Sequence, residues 1–242
     1  MQPQRRQQYL DAIGIDLWVP RAATQAAAPA AVPPAAPAAP AAPAAADTAA
    51  RWEALRTEVL SCTRCPLHLT RTQGVLGVGP RRCDWLVIGE APGAEEDRRG
   101  EPFVGAAGQL LDAMLRAIGL DRASNVYIAN VLKSRPPGNR DPKPEEVAAC
   151  LPYLTRQIEL LQPKIMLAVG RIAAQNLLAT DAPLGRLRGQ VHRFGATPLV
   201  VTYHPAYLLR TPADKRKAWE DLKFARTVYQ QLQAAATDGH RP

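Results

Sequence analysis

The feature that most constrains the fold is a repeated alternation of short apolar segments with longer amphipathic ones. The apolar segments predict strands at 84–89, 125–132, 165–169 and 199–202. The amphipathic segments predict helices at 49–60, 106–118, 145–161, 172–178 and 214–233. Strands that alternate with helices of this length indicate a parallel sheet covered on both faces. The sequence therefore predicts an α/β protein with three layers, α/β/α, and a central, mainly parallel four-stranded sheet.

Composition divides the 242 residues into a folded domain and two tails. Residues 22–46 are nearly all Ala and Pro, which predicts a disordered linker because repeated prolines remove backbone donors. Thr48 is the predicted N-cap of the first helix, so the folded domain is expected at 47–236, followed by a C-terminal tail at 237–242.

The N-terminal tail, residues 1–21, carries a short amphipathic segment from Tyr9 to Trp18. Its sequence GIDLW, at 14–18, resembles the short peptides that bacterial proteins insert into the replication sliding clamp. One hypothesis is therefore a docking peptide at the end of a tether, with the sliding clamp as its partner. The alternative is a helix that packs back on the domain.

The charge and the apolar pattern bound the class of protein. A formal net charge of +8 favours a polyanionic partner such as nucleic acid. No apolar run approaches the ~20 residues that span a bilayer, and the first twenty residues lack the apolar core of a secretory signal. We therefore expect a cytoplasmic monomer without a membrane partner. Four cysteines in such a chain favour a metal site or buried thiols over a disulfide scaffold.

Three loops that follow predicted strands carry the chemically informative residues. They are GEAPGAEED at 89–97 with PFVG at 102–105, Asn130 with KSRPPGNR at 133–140, and TYHPAYLLR at 202–210. Ligands of open parallel sheets bind at the carboxyl ends of strands, so we expect these loops to meet around one site.

Together these motifs resemble the family-4 uracil-DNA glycosylases, from about Ser61 to Leu222, in the order and spacing of that family. The resemblance implies a uracil-DNA glycosylase-like fold and a uracil-containing DNA substrate. It also implies that the base is flipped out and its N-glycosidic bond hydrolysed, which leaves an abasic site. No amine nucleophile is evident at the site, so a monofunctional enzyme is expected.

Base recognition is assigned by this resemblance to residues of all three loops. Phe103 is expected to stack on the uracil ring, and His204 to contact uracil O2. The amide of Asn130 offers a donor and an acceptor, which suit uracil O4 and N3–H and oppose the cytosine edge. The first loop completes the predicted uracil-binding set with Glu90, Ala91, Pro92 and Gly93.

The catalytic assignment leaves two carboxylates open. Glycosidic hydrolysis needs a group that stabilises an oxocarbenium-like sugar or orients water, and carboxylates usually do so. Glu90 and Glu96 are both candidates, and His204 is the expected donor to charge that develops on the departing base. Glu95 and Asp97 have a solvated acidic run as their equally weighted alternative.

Basic and apolar residues beside these loops are predicted to contact DNA, with a solvated basic face as the alternative. The predicted DNA-binding set is Lys133, Arg135, Arg140, Arg188, Leu208 and Arg210, with Arg186 also nearby.

A metal site is predicted from the cysteines and from the resemblance. Cys62 and Cys65 form a CxxC pair, and the family completes a 4Fe-4S site with Cys150 and a fourth cysteine. Here Ser134 stands at that fourth position. The open alternatives are Ser134 as a ligand, Cys83 as the fourth thiolate, a cluster with three irons or an open iron position, zinc, and buried thiols without a cluster.

Two other classes of function compete with the enzyme. One is a non-catalytic DNA-binding or polymerase-associated module with a degenerate iron–sulfur site. The other is a metal-sensing or redox protein. The presence of Phe103, Asn130 and His204 together favours the enzyme.

Overall fold

The computed structural model describes residues 42–238. Helix α1 (Ala42–Leu60) leads into the CxxC loop and strand β1 (Trp85–Gly89). Helices α2 (Ala94–Arg99) and α3 (Ala106–Arg116) follow, then β2 (Val126–Asn130), α4 (Pro144–Leu161) and β3 (Ile165–Val169). The rest of the chain forms α5 (Arg171–Leu178), α6 (Leu184–Leu187), β4 (His192–Phe194), β5 (Thr197–Thr202), α7 (Pro205–Arg210) and α8 (Lys215–Asp238).

The strands form one sheet in the order β2-β1-β3-β5-β4, parallel except for the pairing of β4 with β5. The α/β class is confirmed, but the sheet has five strands and not four. The additional strand β4 is a three-residue edge strand that turns into β5 at Gly195, whose φ is +58°. Such a short segment carries too little periodicity to be recognised from sequence.

Alternate side chains of each strand enter two separate apolar cores, one on each face of the sheet. Leu86, Ile88 and Met166 face the core shared with α1, α4 and α5. Val87, Ile128 and Leu167 face the core shared with α3 and α8. The predicted three layers are therefore confirmed.

Helix α1 begins at Ala42, inside the segment that the sequence assigns to the linker and before the predicted cap Thr48. Alanine has the highest helix propensity, and Pro43 is tolerated because it lies in the first turn. The N-terminal peptide, linker residues 22–41 and residues 239–242 lie outside the described residues. Within residues 42–238, no helix is both long enough and apolar enough to cross a membrane.

Candidate active site

A cavity of about 410 Å³ opens at the carboxyl edge of the sheet, where the three predicted loops meet. It brings together most of the predicted site residues. Those that line it are Glu90, Ala91, Pro92, Gly93, Glu96, Phe103, Asn130, Arg140, His204 and Arg210. Tyr207 of the third loop also lines it, as do Asp141 and Asn139, which were not predicted as site residues.

Asn130 ends strand β2 and contributes its side chain to this cavity while being only 2% exposed. Its Oδ1 is buried without a hydrogen-bond partner among the described residues. Glycine at position 89 is required here, because a Cβ would lie 2.4 Å from Asn130 Oδ1 and 2.5 Å from the Phe103 ring. An unpaired buried acceptor costs ~1–3 kcal/mol, so this atom is poised for a donor from a bound molecule.

Phe103 is held in a left-handed backbone conformation, with φ of 55°, at the wall of the cavity. Arg122 fixes this turn, since its Nη2 donates to Phe103 O at 2.9 Å and its Nη1 to Pro102 O at 3.3 Å. The Phe103 ring centroid lies 5.6 Å from that of His204. Nothing in the sequence pattern marks Arg122 as a support of this turn, because it lies nineteen residues away from Phe103.

His204 is the N-cap of α7, and its Nδ1 accepts the N–H of Ala206 at 3.1 Å. This hydrogen bond requires an unprotonated Nδ1, which leaves the proton of the neutral ring on Nε2. Burial and the positive charge of Arg210 together lower the pKa of His204 to about 4, against the raising effect of Glu96. At neutral pH, His204 is therefore an uncharged Nε2–H donor.

Gly170 provides the space for this histidine. It follows β3 with φ of +99°, and a Cβ there would lie 2.9 Å from His204 Cβ. A glycine between a predicted strand and a predicted helix is the sequence signal that could have identified this position.

The two candidate carboxylates occupy different environments. Glu96 closes the first loop, because its Oε2 accepts the N–H of Gly93 at 3.1 Å and its Oε1 accepts those of Val104 and Gly105 at 3.0 and 3.3 Å. The Glu90 carboxylate has no hydrogen bond within residues 42–238 and faces the cavity. Glu96 therefore holds the loop closed, whereas Glu90 is able to interact with a molecule in the cavity. Because the Gly93 N–H donates to Glu96, it is not available for a hydrogen bond to a bound base.

The electrostatics of Glu90 support this separation. Burial and the nearby Asp141 together raise its pKa to about 7, against the lowering effect of Arg171. Asp141 and Arg171 pair at the rim, with 2.9 Å between Oδ2 and Nη2. Glu90 thus changes its charge near neutral pH, as a catalytic carboxyl often does.

The two neighbouring acidic residues differ as well. Glu95 is exposed and pairs with Arg98. Asp97 is 3% exposed and accepts the backbone N–H of Thr72 at 2.9 Å, so it is not part of a solvated run.

Arginines at the mouth of the cavity fall into two groups. Arg210 is exposed there without an acidic partner among the described residues. Arg140 lines the cavity and is held by Glu146, through contacts of 2.8 and 2.5 Å. Arg135 is half-buried and donates to Asn139 Oδ1, and Arg186 is exposed.

Burial contradicts two of the predicted DNA contacts, Lys133 and Leu208, and a third, Arg188, is paired within the protein. Lys133 is 1% exposed and donates to Asn130 O and Gln157 Oε1, so it does not reach a phosphate. Arg188 forms a bidentate pair with Asp221 at 2.6 and 2.8 Å and stacks on Tyr203, so its charge is already engaged. Leu208 is 1% exposed because α7 turns it inward, whereas its neighbour Leu209 is 44% exposed.

The predicted metal ligands gather around the CxxC loop. Burial chiefly raises the pKa of Cys150, and the neighbouring Cys65 and Cys62 raise it further. Ser134 is buried, and its Oγ accepts Arg71 Nη1 at 2.7 Å, while Arg71 Nη2 donates to Leu60 O and Cys62 O, both at 2.9 Å. Three thiols and the Ser134 hydroxyl therefore share one locality.

The chemistry of these donors, three thiols and one hydroxyl, matches iron–sulfur ligands at three of four positions. Within residues 42–238, no three His, Cys, Asp or Glu side chains are gathered closely enough to hold one metal ion. A four-iron cluster distributes its ligands over four irons, so they stand further apart than ligands of a single zinc ion. The residues fit such a cluster at three thiol positions, and a hydroxyl stands at the fourth.

Cys83 lies apart from this locality. It precedes β1 at the opposite edge of the sheet, beside Asp84 and Trp85, and lines a separate cavity there. Ser134 follows the carboxyl end of β2, so the parallel pairing of β1 with β2 keeps the two residues apart.

Comparisons with known proteins agree with this geometry. The model of the uracil DNA glycosylase superfamily matches residues 76–223, which include Phe103, Asn130 and His204. The type-4 uracil-DNA glycosylase of Archaeoglobus fulgidus is 47% identical over 174 residues, which cover 69% of this chain and 87% of the relative. The enzyme of the same name from Thermotoga maritima is 41% identical over 179 residues, or 72% of this chain and 93% of the relative.

The chain belongs to the type-4 uracil-DNA glycosylase family.

A more distant relative is the type-5 uracil-DNA glycosylase of Thermus thermophilus, which is 33% identical over 153 residues, or 54% of this chain and 68% of the relative. The match to the uracil DNA glycosylase superfamily begins at residue 76, after Cys62 and Cys65. The pocket thus lies wholly in the matched segment, and the CxxC pair precedes it.

Proposed function

We propose that this protein is a monofunctional DNA glycosylase that flips uracil out of DNA and hydrolyses its N-glycosidic bond, leaving an abasic site. Family membership supports this proposal. The observation that carries it is the convergence of Phe103, Asn130 and His204 on one cavity, with the buried Asn130 Oδ1 lacking a partner among the described residues.

Base selection rests on Asn130. Its Oδ1 accepts uracil N3–H, and its amide N–H donates to uracil O4. Cytosine presents an acceptor at N3 and a donor at its exocyclic amine, so it would leave both groups of Asn130 unpaired. A site that loses its buried hydrogen bonds in this way discriminates by several orders of magnitude. Phe103 supplies the stacking surface for the flipped ring.

His204 stabilises the departing base. As the glycosidic bond breaks, negative charge grows on the uracil ring and its O2. The Nε2–H of neutral His204 donates to O2 without an ionic charge of its own, because the pKa of His204 is lowered to about 4. A donor that is already oriented toward developing charge contributes most to the rate in a site that excludes water.

Glu90 acts on the sugar side. Its ionised carboxylate stabilises the oxocarbenium-like sugar and orients the attacking water, while Glu96 keeps the loop closed through three backbone N–H groups. Among the described residues that line the cavity there is no lysine. A Schiff base with the sugar is therefore not expected, and strand cleavage does not follow base removal.

The DNA backbone is held by the arginines at the mouth of the cavity. Arg210, Arg140 and Arg135 are the proposed phosphate contacts, supported by their position beside the pocket. Neutralising phosphates releases counterions, so DNA binding is expected to weaken as the salt concentration rises.

An iron–sulfur cluster of the 4Fe-4S type is the proposed cofactor, and Cys62, Cys65 and Cys150 would hold it with Ser134 at the fourth position. When bound, the cluster supplies a structural crosslink between the CxxC loop, the loop after β2 and helix α4. Base excision transfers no electrons, so the residues of the pocket perform the reaction without it.

A cytoplasmic location, a monomeric state and docking of the N-terminal peptide on a sliding clamp complete the proposal. The GIDLW segment is the sequence feature that supports the docking. Residues 14–18 lie outside the described part of the chain.

A direct assay tests the function. Protein purified without air is incubated with a labelled oligonucleotide containing one uracil, then treated with alkali, and its visible spectrum is recorded. A matched oligonucleotide with thymine at the same position is the control. Alkali-labile cleavage at uracil alone is expected, together with the absorbance of an iron–sulfur chromophore. A folded, iron-loaded protein that leaves uracil in place would favour the non-catalytic DNA-binding module.

A further inference from the structure

Lys133 is the most deeply buried charged side chain beside the pocket, at 1% exposure. Its Nζ donates to Asn130 O at 2.7 Å and to Gln157 Oε1 at 2.5 Å. Gln157 is itself fully buried on α4, and its Nε2 donates to Leu76 O at 2.9 Å and Tyr127 Oη at 3.3 Å. A chain of hydrogen bonds thus leads from the interior to the main chain of Asn130.

The Asn130 carbonyl needs such a partner because of its place in the sheet. Strand β2 is an edge strand, and on its outer side Ile128 pairs with Val78 through both its N–H and its C=O. Since alternate residues of a strand point their carbonyls to the same side, Asn130 O also faces outward, past the end of that short pairing. The Lys133 ammonium takes the place of a neighbouring strand there.

Lysine is an unfavourable residue to bury at this position. Burying an ammonium carries a large desolvation cost, and no carboxylate bonds to Lys133 within residues 42–238. The cost is consistent with a function that needs the donor and not the charge. The Asn130 amide lies against Gly89 and Phe103 with little free space, so a small shift of its main chain would misplace it.

We infer that Lys133 is a positioning residue: it fixes the main chain of Asn130 so that the Asn130 amide meets the uracil edge. This inference rests on the proposed function of the pocket. Lys133 does not touch the substrate and acts through Asn130. A misplacement of ~1 Å in such a site costs on the order of 100-fold in rate.

A double-mutant cycle tests this role. Lys133→Met keeps the length of the side chain but removes every donor, and Lys133→Gln keeps an N–H. Excision of uracil is measured in a single turnover at saturating enzyme, in the wild-type and in the Asn130→Ala background. Lys133→Met is expected to lower the rate ~10- to 100-fold in the wild-type background and less than ~2-fold in the Asn130→Ala background. Lys133→Gln is expected to restore part of the rate.

Two further measurements separate positioning from stability. Affinity for an oligonucleotide without uracil is expected to be unchanged in Lys133→Met. Leu161→Ala is the matched core variant, because Leu161 is buried at the opposite edge of the sheet, away from the pocket. It is expected to lower Tm without lowering the rate, measured well below Tm.

Equal losses in the two backgrounds, or an unchanged rate in Lys133→Met, would overturn the inference. If Lys133→Met does not fold, Gln157→Met replaces it, because Gln157 orients the ammonium. Its excision rate is then measured in the wild-type and the Asn130→Ala backgrounds, with the same expected outcomes. A wild-type protein that excises no uracil would overturn the proposed function and this inference together. An active wild type with additive losses overturns the role of Lys133 alone.

Discussion

At the scale of single residues, the proposed selection of uracil depends on the Asn130 amide. Asn130→Asp is expected to reduce uracil excision at least ~100-fold, because an ionised carboxylate cannot donate to uracil O4 and would itself be buried without a partner. Single-turnover rates on a uracil oligonucleotide measure the effect. Asn125→Asp makes the same chemical change at the amino ends of the strands, away from the pocket. Its excision rate is expected to match that of the wild type. Retention of uracil excision by Asn130→Asp would contradict the pocket assignment.

Glu90 determines the expected pH dependence. With a pKa of about 7, its ionised fraction grows as pH rises from 6 to 8, so the excision rate is expected to rise through pH 7 and then level. His204, with a pKa of about 4, stays neutral across this range and adds no second change to the pH–rate profile. Glu90→Gln is expected to lower the rate and to flatten the profile. A rising limb that survives in Glu90→Gln would assign the ionisation to another group.

The same shift affects stability. Because the pKa of Glu90 is raised from 4.5 to about 7, the folded protein binds a proton more tightly than the unfolded chain. Its contribution to stability is therefore fully present below pH 4.5 and is lost as pH rises through 7. Glu90→Gln is expected to raise Tm at pH 8 but not at pH 4.

Ser134 tests the placement of the cofactor ligands. Ser134→Cys is expected to increase the iron content per chain and to raise Tm by a few degrees, since a thiolate binds iron better than a hydroxyl does. Elemental analysis and thermal melting measure both. Cys83→Ser is the matched control and is expected to leave the iron content unchanged. No gain in either quantity would remove Ser134 from the ligand set.

Not every residue could be placed from its sequence neighbours. Phe103, Asn130 and His204 were predicted correctly to share a cavity, because each lies at or beyond the carboxyl end of a strand that was recognised. Lys133 was assigned to the surface because it lies in a basic loop, but the loop turns it inward toward Gln157, which is 24 residues away. Periodicity ends where a strand ends, so the side on which such a residue lies depends on tertiary contacts.

At the scale of elements, the long helices and parallel strands followed from apolar periodicity, whereas the short elements did not. Helix α7 has only six residues, and its sequence was interpreted as an exposed loop. As a helix beginning at Pro205, it places Leu208 inward and Leu209 outward. Leu208 was therefore placed on the surface because the short helix was not recognised.

The junction of β3 and α5 carries a prediction of its own. Gly170→Ala is expected to displace His204, lower Tm and reduce excision ~10-fold or more, because the new methyl group meets His204 Cβ and the backbone is strained by ~1–3 kcal/mol. Gly119→Ala is the matched control, since Gly119 also has a positive φ but no atom within 4 Å of a Cβ. It is expected to lower Tm while excision remains normal. Equal rates in the two variants would mean that His204 tolerates the displacement.

At the scale of the whole molecule, the enzyme is expected to be separable from its N-terminal region. Deletion of residues 1–41 removes the predicted peptide and linker residues 22–41 but retains all of α1. Excision from a short oligonucleotide is expected to stay within about 2-fold of the full chain, since every pocket residue lies after residue 89. Deletion of residues 1–60 also removes Trp52, Leu55 and Val59 from the core and is expected to destabilise the protein. Loss of activity in the shorter deletion would make the tail part of the enzyme.

Arg71 joins the CxxC loop to the Ser134 loop through N–H···O hydrogen bonds. Oxygen and peroxide attack thiolates and the iron bound to them, but they do not attack a guanidinium or a hydroxyl. Oxidants that destroy a cluster at this site would therefore leave the hydrogen bonds of Arg71 between the two loops intact. Loss of the proposed cluster in air and loss of the folded enzyme would then be separate events.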